Sequence, residues 1–357
     1  MIIVIKESEL YRALGIMSGT SLDGLDLALC SFKRYENRWE FAIEDSQIIE
    51  YPDELVQRLN GAYTASASEL AQLDTYFGRF IGEQAKTYLA NKGKIDLIAS
   101  HGQTIFHKPA DGYTYQIGKG AEIAAKSGVV TVCDFRSSDV AHGGLGAPLV
   151  PLGDKLLFED YSACVNLGGF ANISYKLNGE YVAFDISPLN FVLNRLAHKL
   201  GKKYDEDGEF SSKGATMLDL YVKLNSLPYY NAPAPKTLGH EWVEENVFDL
   251  LKGDFDVKNV MRTFCEHVSH QVSRSLEHVK GENILFTGGG VRNRFLMKLI
   301  GDKTKKRIIV PELELVDMKE ALIFAFLGVL RVRGEVNSIA SVTGASKDVI
   351  NGAVYLP

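Results

Sequence analysis

Leu70, Leu73, Tyr76, Phe77, Phe80 and Ile81 recur at helical spacing, which predicts a long amphipathic helix over residues 69–91 with its aromatic stripe in a core. Around it the first half reads as short apolar runs, predicting strands at 14–17, 25–32, 39–49, 95–99 and 129–133 and a short helix at 122–127. The second half repeats the alternation, with strands at 163–167, 172–175, 181–184 and 284–286. Helices are expected at 191–200, 257–279, 295–300 and 319–332. Residues 229–240, rich in Pro and Asn, read as an exposed loop. His267, His270 and His278 share one charged helix and are expected at its surface.

One theme occurs twice. A strand, a glycine turn and a second strand appear near residue 19 and again near residue 168. The expected architecture is therefore α/β, in two lobes of residues 1–160 and 161–357 with a cleft between them, the last helix packing back on the first lobe.

Composition narrows the function classes. The chain has 357 residues, 46% apolar and 24% charged, as in soluble globular proteins. A net charge of −6 argues against general affinity for nucleic acid or anionic membrane. Cys30, Cys133, Cys164 and Cys265 are scattered with no CxxC, which reads as reduced thiols in a cytoplasmic protein. No stretch approaches a membrane span, and the first ten residues are too short and too charged for a signal peptide.

The glycine turns are the candidate chemistry. Gly19, Thr20 and Ser21 follow a strand and precede Asp23, Gly24 and Asp26. Such a turn lets backbone N–H groups approach a phosphate, and Asp23 or Asp26 would help hold Mg²⁺ through waters. A plain hairpin turn uses the same residue types. Gly168 and Gly169 form a second turn, and Gly288, Gly289 and Gly290 a third, between a buried strand and a helix. Neither GxxxxGK[ST] nor GxGxxG is present, which points away from P-loop and Rossmann proteins.

The order of these motifs is similar to that of the anhydro-N-acetylmuramic acid kinases, of the actin/hexokinase-type ATPase superfamily. The likeness rests on Met17-Ser18-Gly19-Thr20-Ser21-Leu22-Asp23-Gly24-Leu25-Asp26, on His101-Gly102-Gln103-Thr104-Ile105-Phe106-His107, and on Gln116-Ile117-Gly118 and Asp134-Phe135-Arg136. It continues through Gly143-Gly144-Leu145-Gly146-Ala147-Pro148-Leu149-Val150-Pro151, Asn166-Leu167-Gly168-Gly169-Phe170-Ala171-Asn172, Gly288 to Gly290, Glu320-Ala321 and Val342-Thr343-Gly344-Ala345. The resemblance implies a two-lobed, ribonuclease H-like fold with ATP in the cleft. The implied reaction opens the 1,6-anhydro bond of anhydro-N-acetylmuramic acid with water and phosphorylates O6, with Mg²⁺, giving N-acetylmuramic acid 6-phosphate. The ATP loop then falls on Gly19, Thr20, Ser21, Leu22, Asp23, Gly24, Leu25 and Asp26, the second phosphate loop on Gly168 and Gly169, and the adenosine side on Gly288, Gly289 and Gly290. Asp185 becomes the catalytic aspartate. Thr104, His107, Arg136, Asn190 and Glu320 become sugar contacts, and a second copy of the chain the expected partner.

Departures from the family pattern bear on the substrate. The family's GPGN is Ser187-Pro188-Leu189-Asn190 here, and the bulk of Leu189 would reshape the pocket near the reacting carbon. Phe106 replaces a common cation, as do Ser137 and Ser138, so another anhydrosugar is the alternative substrate. From position alone Asp185 reads equally as a helix N-cap, Glu320 as a carboxylate opening a helix, and His101 and His107 as sugar contacts or satisfied buried histidines. Asp134 and Arg136 either pair with each other or face the cleft. The rival functions are a kinase without ring opening, an ATP-binding protein without kinase activity, and a phosphatase of the same superfamily.

Overall fold

The computed structural model describes residues 10–19, 22, 24–36, 38–253 and 255–357. Its strands are β1 (Leu10–Ser18), β2 (Leu25–Tyr35), β3 (Arg38–Ile49), β4 (Leu97–Ser100), β5 (Gln103–Lys108), β6 (Tyr113–Ile117), β7 (Thr131–Cys133), β8 (Ala163–Leu167), β9 (Phe170–Leu177), β10 (Glu180–Pro188), β11 (Asn283–Thr287), β12 (Arg307–Ile309) and β13 (Ala353–Tyr355). The chain divides into two units, one running to Leu157 and resuming over Met318–Pro357, the other Phe158–Asp317. Residues 318–357, read from sequence as the end of the second lobe with the last helix packing back on the first, are part of the first unit.

The first unit holds a six-stranded sheet ordered β13-β7-β4-β1-β2-β3. β1, β2 and β3 form an antiparallel meander, and β4 and β7 join parallel to β1. The second unit holds a sheet ordered β10-β9-β8-β11-β12, again an antiparallel meander followed by two parallel strands. The theme read twice in sequence is this shared order, and each unit is α/β of the expected ribonuclease H-like kind.

Periodicity explains the helices. Ala67–Leu89 starts at Ser66, whose hydroxyl accepts from the Glu69 amide while the Glu69 carboxylate accepts from the Ser66 amide. That reciprocal cap is worth about 1 kcal/mol. Leu73, Phe77 and Ile81 are buried on the face that meets the sheet, and each such side chain contributes roughly 1.5–3 kcal/mol. Tyr76 departs from the expected core stripe: it is exposed, under the Arg58 guanidinium. The helix Leu313–Arg333 begins at Leu313 rather than at 319, because residues 313–318 are themselves good helix formers. Its stretch within the first unit lies on β1 at Gly15, where an added Cβ would sit 1.8 Å from the Ala321 carbonyl oxygen. Only glycine permits that approach.

Two expectations fail in the second unit. His267 is fully buried: on Val257–Leu276 it shares a face with Val260, Phe264 and Val268, and this spacing overrides the charges elsewhere on the helix. The segment 229–240 is not simply an exposed loop, since Tyr230 and Leu238 are buried and Pro228–Asn231 forms a 3₁₀ turn.

Candidate active site

In open sheets, ligands gather beyond the carboxyl ends of parallel strands. In the first unit β1 runs into Gly19, β4 into His101, and β7 into Asp134 and Arg136, so three separate motifs meet at one sheet edge. The β1–β2 turn is closed by the Leu22 amide donating to the Gly19 carbonyl (3.2 Å), with Leu22 at φ 54°. Gly24 leads into β2, where Leu25 pairs with Ser18 and Asp26 with Met17. Thr20, Ser21 and Asp23 lie outside the described residues. Beneath the turn, the Tyr51 hydroxyl donates to Ser18 Oγ (2.7 Å), and the Ser18 hydroxyl donates to Gln103 Oε1.

The segment following His101 is a hairpin, β5 against β6, which the sequence reading did not separate. Its register shifts between Thr104 and Phe106, so Thr104 pairs with Gln116 and His107 with Thr114. The irregularity brings Thr104 and His107 to the same face. A hydrogen-bonded row joins them: Gln116 Nε2 donates to Thr104 Oγ1 (3.4 Å) and Thr114 Oγ1 (2.8 Å), and His107 Nδ1 meets Thr114 Oγ1 at 3.0 Å. Phe106 pairs with Tyr115 and packs on Tyr63 with ring centroids 5.5 Å apart. The lost cation at 106 therefore lies off the polar face.

Arg136 does not pair with Asp134, whose Oδ1 instead accepts from the Ser137 amide. Its Nε and Nη2 both reach His101 Nε2 (3.1 and 2.9 Å), and Nη1 donates to the Gly146 carbonyl (2.8 Å). His101 Nδ1 donates to the Gly102 carbonyl (2.8 Å), which fixes the tautomer with Nε2 as acceptor. Burial, and then Arg136, push the His101 imidazolium down to about 3, so the ring stays neutral. It rests on Phe324 at 4.7 Å. Burial pushes Arg136 itself down to about 10, opposed by the negative charges of Glu320 and Asp139. His107 is lowered by burial and then by Arg136, and Glu320 is raised by burial although Lys319 and Arg136 pull it down. Glu320 stands well inside Leu313–Arg333, so it is not the helix-opening carboxylate of the sequence reading. The salt bridge Lys319–Asp154 (2.7 Å) is buried next to it in the chain. Thr104, His107, Arg136 and Glu320 thus share one polar region of the first unit.

Asp139, missed from sequence, braces this region. Its carboxylate accepts from Ser338 Oγ (2.7 Å), Thr343 Oγ1 (2.8 Å) and the Gly146 amide (2.8 Å), which ties Val342-Thr343-Gly344-Ala345 to the loop that holds Arg136.

In the second unit the turn after β8 carries Gly168 and Gly169, whose carbonyls accept from the amides of Asn190 and of Leu189 and Phe191. Asn190 Nδ2 donates to the Leu167 carbonyl (3.1 Å), so this residue, expected from sequence to contact sugar, fastens the glycine turn. Leu189 is fully buried in the core against Gly290. Its bulk is absorbed by the core, contrary to the expectation that it reshapes a pocket.

Past β11, Gly288 has φ 82°, and an added Cβ would lie 2.5 Å from Asn166 Oδ1; at Gly290 it would lie 2.8 Å from the Leu167 carbonyl oxygen. At Gly289 it would meet nothing within 4 Å. Two of the three glycines are therefore required by packing on β8, and Gly289 is the one that packing does not require. Gly288→Ala is expected to cost about 1–3 kcal/mol of stability, and Gly289→Ala almost none while weakening ATP binding. Thermal melts with an ATP titration check both, and equal melts for the two variants would remove the steric reading.

Asp185 lies in β10 opposite Asn172, immediately before a bulge at Ile186 that shifts the register. Leu189 is the N-cap residue of the helix Asn190–His198, which rules out the capping role for Asp185. Its Oδ2 accepts from Thr237 Oγ1 and from the Leu238 amide, both at 2.8 Å. Among the described residues no hydrogen bond takes up Oδ1. Burial raises the carboxyl, and the Leu238 and Thr237 hydrogen bonds lower it in turn. A carboxylate with one oxygen tied and the other open has the geometry of a general base.

The family model for anhydro-N-acetylmuramic acid kinase matches residues 11–357. An anhydro-N-acetylmuramic acid kinase of Vibrio cholerae is 34% identical, covering 98% of this chain and 99% of its own. That of Francisella tularensis subsp. novicida is 33% identical, covering 97% and 99%, and that of Pseudomonas fluorescens 34%, covering 96% and 98%. With a match that runs nearly end to end, through every glycine turn and Asp185, the chain belongs to the anhydro-N-acetylmuramic acid kinase family.

Proposed function

We propose that the protein uses ATP to convert 1,6-anhydro-N-acetylmuramic acid and water into N-acetylmuramic acid 6-phosphate, a step of cell-wall recycling. The observation that carries the reading is Asp185, a carboxylate beside the bulge of β10 with Oδ2 fixed and Oδ1 open, in a chain of this family. Asp185 takes a proton from water as the water oxygen attacks the anomeric carbon. The bond from that carbon to O6 breaks, and O6 takes the γ-phosphoryl group. In the first unit Thr104 and His107 contact sugar hydroxyls, Arg136 meets the acidic substituent, and Glu320 accepts from a further hydroxyl. Asn190, in the second unit, is the remaining residue assigned to sugar.

For the nucleotide, the turn Gly19–Asp26 and the turn at Gly168 and Gly169 are assigned to phosphates, and Gly288 to Gly290 to adenosine. Mg²⁺ neutralises charge on the phosphates. Such ions keep most of their waters and need only one or two protein carboxylates. Asp26, beside the first turn, fits that role through water.

Phe106 supports the muramic-acid reading over another anhydrosugar, because it leaves the Thr104–His107 face intact. The test is the product formed in ¹⁸O-labelled water. Ring opening gives a reducing sugar phosphate carrying label at the anomeric hydroxyl, and excess chelator stops its formation. An unlabelled, non-reducing product would instead identify a plain hydroxyl kinase. The reading also takes the enzyme to be a cytoplasmic homodimer, for which sedimentation at one chain's mass is the contrary result.

A further inference from the structure

Between the helices Leu218–Asn225 and His240–Val243, the chain folds back along β10. The Asp185 amide donates to the Lys236 carbonyl (3.1 Å), and the Tyr229 hydroxyl donates to the Asp185 carbonyl (2.6 Å). Two further donors from this segment, Thr237 Oγ1 and the Leu238 amide, converge on Asp185 Oδ2. Both main-chain polar groups of Asp185 and one side-chain oxygen are thus held by one segment. Proline- and asparagine-rich chain of this kind is not rigid by itself, so something must hold it.

The anchor is a buried polar network. Asn225 Oδ1 accepts from Gln271 Nε2 (2.7 Å) and from His267 Nδ1 (2.9 Å). An amide oxygen only accepts, so Nδ1 carries the proton and Nε2 is the acceptor for the Tyr230 hydroxyl at 2.9 Å. His267 is fully buried, and burial pushes its imidazolium down to about 3, so the ring remains neutral and the bond direction is preserved. Tyr230, next to Tyr229, is buried as well and packs on Trp242. The line runs from the helix Val257–Leu276, through His267 and Tyr230, to the segment that grips Asp185. Partly satisfied networks are costly and fully satisfied ones rigid, which suits a device that must hold one carboxylate still.

We infer that Thr237 is a positioning residue for the base, its hydroxyl setting the plane of the Asp185 carboxylate so that Oδ1 points to the reacting water. The inference rests on Asp185 being the base. A free carboxylate turns about its last bond, and Oδ2 can then replace Oδ1 without either being well aimed. Two donors on Oδ2 remove that freedom. They also favour the charged form over the neutral one. The other groups around the carboxylate are Tyr229, Lys236, whose ammonium lies over the Tyr229 and Phe184 rings, and neutral Asn172 across β9. The Lys236 ammonium itself donates to the Tyr229 carbonyl, so Thr237 is the side chain of this segment that reaches the carboxylate directly.

Thr237→Val keeps the branched shape at an exposed position and removes only the hydroxyl. It is expected to lower kcat about tenfold, the scale of a slightly misplaced catalytic group, with ATP affinity unchanged. Because the lost bond favoured the carboxylate, the acid limb of the kcat/KM profile should move to higher pH. Thr237→Ser restores the hydroxyl and should restore both. Asp185→Asn is measured beside them on the full chain. If Asp185→Asn is inactive while Thr237→Val keeps its kcat and acid limb, the inference about Thr237 is overturned and the base stands. A fall in kcat with no movement of the acid limb, or none rescued by serine, overturns it equally, since a structural role predicts that pattern. Near-normal turnover in Asp185→Asn removes the base and the inference together.

Discussion

Asp185→Asn is expected to lower turnover by about a hundredfold or more, the usual scale for losing a general base, while nucleotide binding survives. The asparagine is isosteric. Its carbonyl oxygen can accept from Thr237 and the Leu238 amide as Asp185 Oδ2 does, which leaves the amide nitrogen where Oδ1 stood. The strand, its bulge and the 236–238 segment therefore keep their bonds, and a melt should stay close to that of the parent. What disappears is the acceptor for a proton from water, because an amide does not take one at neutral pH. ATP affinity should hold or tighten slightly, since an anion near the Gly168 turn is removed. The raised carboxyl of the parent works in the same direction as catalysis: burial lifts it toward the working pH, where a base is still ionised yet accepts a proton more readily. Turnover within about threefold of the parent would be far too small a loss for a general base and would take that role from Asp185.

What the sequence made legible follows the strength of its local signals. The strand–glycine turn–strand theme was readable because turn glycines interrupt apolar runs, and it became the common strand order of both sheets. The N-cap alternative for Asp185 could not be settled without knowing that β10 continues to Pro188 and that Leu189 begins the next helix. His267 misled because charged neighbours mark a helix as exposed, whereas burial is decided by which face meets the sheet. Thr237 carried no readable signal: its bond to Asp185 spans 52 positions, in a segment whose composition suggested only a loop. Leu189 and Phe106 are the reverse case. As letters they looked like changes to the substrate pocket, and the backbone sends one into the core and the other to the far side of a hairpin. Motif departures report on specificity only once the direction of the side chain is known.

Arg136→Met should reduce kcat/KM for the carboxylate-bearing sugar by roughly 10–100-fold, while an anhydrosugar without the acid group loses little. Hydrogen bonds to charged groups are worth about 1.5–3 kcal/mol, and each 1.4 kcal/mol is tenfold. Methionine keeps much of the arginine stem and removes the fork. His101 is what leaves this charge available. A guanidinium in a polar region would ordinarily seek a carboxylate, but here Nε and Nη2 both meet a neutral imidazole and Nη1 a carbonyl. The positive charge is oriented by these contacts without being cancelled by them. Protonating His101 would set two cations against each other, and Arg136 is itself among the reasons the ring stays neutral. Glu320 offsets part of the charge from farther away, and loss of Arg136 should lift the Glu320 carboxyl higher still. Arg136→Lys should recover little, because an ammonium is a point charge and cannot meet His101 and a substrate carboxylate with one planar group. The comparison of sugars gives the decision. Equal losses on both would mean that Arg136 only holds the loop at Gly146, and a loss confined to the acidic sugar would identify the guanidinium as its carboxylate contact.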